Sequence, residues 1–73
     1  MWLETQWQRY VDWEAIGDVF IKETVDGWLV IARVGKGYIT LGKYFCEERA
    51  EEVYAELAAA YRRKDEIYRI PEA

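Results

Sequence analysis

Cys46 is the only thiol in the chain, and it directly precedes a run of acids: Glu47, Glu48, Glu51, Glu52 and Glu56. Nucleophilic use of a thiol needs a base within reach, and the chain has no histidine. A helix N-terminus lowers a thiol's pKa, but Glu47 and Glu48 beside it work in the opposite sense. Carboxylates do acid–base work when they converge on a cleft; these are strung along one helix. Gly35-Lys36-Gly37 lies between two strand-like runs and reads as a hairpin turn, not as a phosphate loop. The expectation is a protein that is not an enzyme, with no cofactor and no metal.

Two constellations remain that could bind something. The first is the stripe Glu48, Glu52 and Glu56, spaced four apart on a helix. Like charges at that spacing oppose each other by about a few tenths of a kcal/mol per pair, so the stripe is not there to steady the helix. It could mimic nucleic acid charge and occupy a basic groove on another protein. The blander reading is a solvated face, partly neutralised by Arg49 and Arg63, and we take that one. The second constellation is Phe20, Leu29, Ile31 and Tyr38 interleaved with Lys22, Arg33 and Thr40. Rings beside cations suit either protein docking or a nucleotide, with a ring for the base and a cation for the phosphate.

The elements that must position these residues follow from periodicity. Gly17–Val25 and Trp28–Val34 are β-rich runs on either side of Asp26-Gly27, the strongest short signal for a two-residue type I′ turn. Such a turn sets Val25 opposite Trp28, Glu23 opposite Val30, Ile21 opposite Ala32 and Val19 opposite Val34. A two-residue second turn gathers Ile39 and Leu41 on the same face, whereas a three-residue loop would scatter them. The core face is then Val19, Ile21, Val30, Ala32, Val34, Ile39 and Leu41. From Glu47 to Arg63, the residues Ala50, Val53, Tyr54, Leu57, Ala58 and Tyr61 keep one helical face. Glu66–Ile70 alternates like an edge strand, and the Trp-rich start supplies one or two more strands. The expected fold is α+β: an antiparallel meander of about five strands with one C-terminal helix on one face.

One helix cannot cover both faces of a sheet. The face carrying Phe20, Leu29, Ile31 and Tyr38 therefore needs the N-terminal strands, a second protomer or a ligand over it. We expect the N-terminal strands to fold back there, with a homodimer or higher oligomer the next option. Size points the same way. The 73 residues make one domain, and a chain this short buries only about 60% of its unfolded surface. With one cysteine and no histidine, neither an internal disulfide nor an ordinary zinc set can supplement the core. Four Trp, six Tyr and two Phe fit a dense aromatic core or self-association. The net charge of −4 argues against nonspecific binding to nucleic acid. No run of about 18 apolar residues marks a membrane span, and MWLETQWQRY lacks the layout of a secretory signal.

Several stretches resemble a known family. Leu-Gly-Lys-Tyr at 41–44, Glu-Glu-Arg-Ala at 47–50, Val53 and Leu57 are similar to an LGxYxTxERAxEVLxEI pattern. That pattern marks a family of short uncharacterised proteins encoded by phages and prophages of Firmicutes. MWLETQ resembles their MW-x-x-S/T-Q start, and IYRIPE their VYxMPE end. The departures are Cys46 for Ser or Thr, which weakens the expected N-cap, and Tyr54 for Leu. The resemblance implies a phage accessory protein in the host cytoplasm and carries no catalytic residue with it. The expected function is binding to a host component, as a counter-defence inhibitor that docks on a protein. The alternatives are an oligomeric sponge for a host nucleotide signal and a structural or regulatory module of the phage.

Overall fold

The computed structural model describes residues 1–72. In chain order it contains β1 (Trp2–Glu4), β2 (Tyr10–Asp12), a short 3-10 turn (Trp13–Ala15), β3 (Ile16–Thr24), β4 (Gly27–Val34), β5 (Gly37–Tyr44), α1 (Glu47–Arg63) and β6 (Ile67–Arg69). The fold is α+β, with the antiparallel meander β3-β4-β5 and one helix packed on it. The strands nearest the two ends form a second sheet, β2-β1-β6, in which β1 runs parallel to β6.

The expected core face is found. Val30, Ala32 and Leu41 are fully buried, and Val19, Ile21, Val34 and Ile39 pack against them. From the helix come Ala50, Val53, Leu57 and Ala60. Tyr54 and Tyr61, expected on this face, lie at its margin and are exposed, with Tyr61 stacked on Trp13. The terminal sheet adds Leu3, Val11 and Ile70 to the same cluster. The N-terminal strands therefore share the core with α1; only the loop between them, at Thr5, Trp7 and Arg9, reaches the second face of the meander.

The first hairpin differs in register from the expectation. Glu23 pairs with Trp28, Ile21 with Val30 and Val19 with Ala32, a slip of two residues. The turn residues are Val25 and Asp26, not Asp26-Gly27. Thr24 decides this: its hydroxyl accepts from Asp26 N–H at 3.3 Å and donates to the Gly27 carbonyl at 3.0 Å. A type I′ turn needs positive φ at both central residues, and here only Gly27 has it, at φ 144°. A Cβ on Gly27 would stand 2.6 Å from the Tyr44 carbonyl oxygen, so this glycine also admits β5. A slip of two preserves every residue's face, so the core face is the same in either pairing.

The second turn has the expected two residues, Gly35 and Lys36, but the β4–β5 ladder then shifts between Ile31 and Val30. Leu41 is the extra residue of this bulge. Beyond it, Gly42, Lys43 and Tyr44 face Val30, Leu29 and Trp28. A regular ladder would set Lys43 on the core face, where its charge would lose its water. The bulge instead sends Lys43 outward and brings Tyr44 in, to 2% exposure. Tyr44 donates its hydroxyl to the Pro71 carbonyl at 2.6 Å. Burial is the main cause that pushes this hydroxyl up to about 12, against the lowering effects of Gln6 and Arg49. Gly42 makes room for this: a Cβ there would stand 2.9 Å from both Ile70 and the Tyr44 hydroxyl.

The two sheets are joined by Gln6. Its backbone N–H donates to the Leu41 carbonyl at 3.0 Å, and its Oε1 accepts from Lys43 N–H at 2.8 Å. Its Nε2 donates to the Pro71 and Glu72 carbonyls at 2.7 and 3.1 Å. One amide side chain thus satisfies part of the β5 edge and clamps the chain beyond β6. Gln6→Ala should lower unfolding free energy by about 1–3 kcal/mol in denaturant titration. Gln6→Glu should not rescue it, because a carboxylate would face the Pro71 and Glu72 carbonyls.

Candidate functional site

The outer face of the meander is built by three cross-strand rows. Asp18, Arg33 and Tyr38 form one, Phe20, Ile31 and Thr40 the next, and Lys22, Leu29 and Lys43 the third. Phe20 and Tyr38 meet edge to face, with centroids 5.8 Å apart and planes at 87°, a favourable arrangement for aromatic quadrupoles. Ile31 is only 8% exposed, although α1 packs on the opposite face of the meander. Tyr38 is 66% exposed. The structure thus brings Phe20, Lys22, Arg33 and Tyr38 together on one surface. The guanidinium of Arg33 is turned toward the start of β3, where a Cβ on Gly17 would stand 2.7 Å from it.

Two residues of this surface were not predicted from sequence. Lys43 arrives through the β5 bulge, which no local pattern announces. Trp7 arrives through the loop between β1 and β2. There Thr5, itself buried, accepts from Trp7 N–H and Arg9 N–H at 3.2 Å each. That Thr-centred turn leaves Trp7 exposed beside Leu29, Tyr38, Thr40 and Lys43, along an open groove of about 560 Å³. The threonine two residues before an exposed tryptophan was the available signal.

The acidic stripe is elsewhere, on α1, which covers the other face of the meander. Glu48, Glu52 and Glu56 are all exposed, but two of them have partners. Glu52 lies 3.5 Å from Arg49. Glu56 accepts the Tyr68 hydroxyl at 3.0 Å, so it borders the terminal sheet and is not on the free back of the helix. Tyr68 has its pKa raised above the ordinary tyrosine value, first by burial and then by the hydrogen bond to Glu56 and that residue's charge.

No family model matches the chain, and no curated protein or solved structure does. Cys46 is exposed at the N-cap of α1 and makes no side-chain cap hydrogen bond. Among the described residues, no three Cys, Asp or Glu side chains gather as a metal site, and no helix is long and apolar enough to cross a membrane.

Two outcomes test this account of the helix. Cys46 has the extended backbone of an N-cap, φ −135° and ψ 155°. Cys46→Ser should therefore raise unfolding free energy by about 0.5–1 kcal/mol in denaturant titration, since a hydroxyl accepts a first-turn N–H well. Glu56→Gln should lower the Tyr68 pKa toward its ordinary value, seen in an ultraviolet pH titration with Tyr68→Phe as the reference. An unchanged tyrosinate profile would mean that Glu56 does not hold the Tyr68 hydroxyl.

Proposed function

We propose that this chain is a non-enzymatic accessory protein that docks on a host protein through the outer face of the meander. One observation carries the reading. Phe20, Leu29 and Tyr38 lie on the sheet face away from α1, bordered by the β1–β2 loop at Trp7 and Arg9, with Lys22, Arg33 and Lys43 around them. Aromatic anchors inside a polar rim, with arginine enriched, are the usual make-up of a protein interface. The cations suit a partner whose apolar patch has an acidic rim, and they contrast with the chain's own net charge of −4.

The resemblance to phage-encoded proteins supplies the context: the host cytoplasm, and a component of a host defence system as the protein that is blocked. A nucleotide sponge fits the face less well. Lys22, Arg33 and Lys43 belong to two different rows, and the groove beside Trp7, bordered by Arg9 and Lys43, is open.

The test is affinity capture from host lysate, with wild type compared against Tyr38→Ser, Arg33→Glu and the pair Glu48→Gln/Glu52→Gln. The captured host protein should be bound about tenfold or more weakly by the first two variants, in line with hot-spot energetics. The helix pair should bind like wild type. Capture that survives the first two and fails with the helix pair would move the docking surface to α1. A nucleotide mass carried through native mass spectrometry of the purified protein would replace docking by sequestration.

A further inference from the structure

The sheet edges are protected unequally. β2 and β6, the outer strands of the terminal sheet, are only three residues each. The outer edge of β5 is engaged by Gln6 at Leu41 and Lys43. β3 has nine residues and no partner strand on its outer side among the described residues. A long open edge is a template for another strand, so its side chains should show whether it is blocked or matched.

We propose that β3 pairs antiparallel with β3 of a second copy of this chain, about a two-fold axis at Phe20. The sequence Asp18-Val19-Phe20-Ile21-Lys22 is complementary to itself in this register. Asp18 stands opposite the partner's Lys22, and Lys22 opposite the partner's Asp18. Val19 meets the partner's Ile21 on the core side, and the two Phe20 rings meet at the axis. Moving the axis to Asp18 or to Lys22 would oppose two like charges, and moving it to Val19 or Ile21 would set Phe20 against a charged residue. Directly opposed unlike charges stabilise a cross-strand pair and like charges disfavour it, so the charges select one register. A lysine on an edge commonly blocks pairing; this one has an aspartate at the matching position and specifies the partner.

On its core side the β3 edge borders open space. Between β3 and α1 lies an open groove of about 370 Å³, lined by Ile16, Asp18, Val19, Tyr54, Tyr61 and Arg62. In the proposed register the partner's Glu23 stands opposite Gly17, which borders the same groove as Arg62. Glu56, at the other flank of α1, contacts the terminal sheet, so this part of the acidic stripe lies away from the junction. The interface is isologous, and it closes at two copies because each β3 has one open side. The two three-stranded meanders become one continuous sheet in which the outer faces join, Phe20 beside the partner's Phe20. This pairing stands on β3 alone and does not depend on host docking.

Sedimentation velocity over a wide concentration range tests it without any host component. Wild type should sediment at twice the mass of the 8.7 kDa chain. Asp18→Lys and Lys22→Asp should each weaken self-association about tenfold or more, since both cross-strand pairs become like-charged. An equimolar mixture of the two variants should restore a dimer, because the two lysines of one variant's β3 would face the two aspartates of the other's. Far-ultraviolet circular dichroism confirms that each variant is folded. Lys22→Asp is the safer of the two, because Asp18→Lys sets a lysine beside Arg33 in its own chain. A wild type that remains monomeric at its highest soluble concentration would overturn the proposal. So would a dimer that persists in folded Lys22→Asp, or a mixture of the variants that fails to associate.

Discussion

The arrangement of the two sheets depends on the amide of Gln6. A β-strand edge needs donors and acceptors in alternation, and a primary amide offers both at once. Gln6 uses its oxygen on the Lys43 N–H and its nitrogen on the carbonyls of Pro71 and Glu72, while its own N–H takes the Leu41 carbonyl. These contacts bracket the β5 bulge, where Leu41 is the extra residue. They hold the terminal sheet against the edge of the meander at the place where the ladder is irregular. Tyr44 completes the arrangement from inside, through its hydroxyl on Pro71. The core can then be shared by two small sheets and one helix, none of which has enough apolar area to stand alone.

The same contacts divide the surface by role. The β5 edge is engaged and the terminal sheet has only short edges, which leaves β3 as the long open one. The bulge also sets the character of the outer face, because it moves Lys43 from the core side to a row with Lys22 and Leu29. A device that keeps a charge out of the core thus supplies a cation to the candidate binding surface. The helix contributes differently. Its glutamates are partly committed, Glu52 to Arg49 and Glu56 to Tyr68.

The sequence carried the helix and the faces of the meander more clearly than it carried the pairing. The bounds of α1 followed from periodicity and end charges, and Glu47–Arg63 is the observed span. The core face survived a wrong register because a two-residue slip leaves side-chain direction unchanged. What failed was turn chemistry: Asp-Gly outweighed Thr24, whose hydroxyl bonds to both Asp26 and Gly27. The bulge was invisible for a different reason. Its cause is the fit between Tyr44, Gly42, Ile70 and Pro71, residues far apart in the chain. The terminal sheet was missed on the same ground, since a parallel pair between the two ends leaves no local trace. Of the candidate site, Phe20, Lys22, Arg33 and Tyr38 were readable from alternation alone, whereas Trp7 and Lys43 needed tertiary structure.

The parallel pairing of β1 with β6 has a bearing on the order in which the molecule forms. Trp2 lies opposite Ile67 and Glu4 opposite Arg69, so β1 is synthesised before all the other strands but pairs with the one that follows them all. Closing that loop is entropically expensive until the meander and helix have drawn its ends together. Until then β1 has only the three residues of β2 beside it, and Leu3 has no finished core to enter. The hairpins of β3, β4 and β5 join neighbours in sequence and can assemble early. The terminal sheet is the closing step, and β1 must wait for β6.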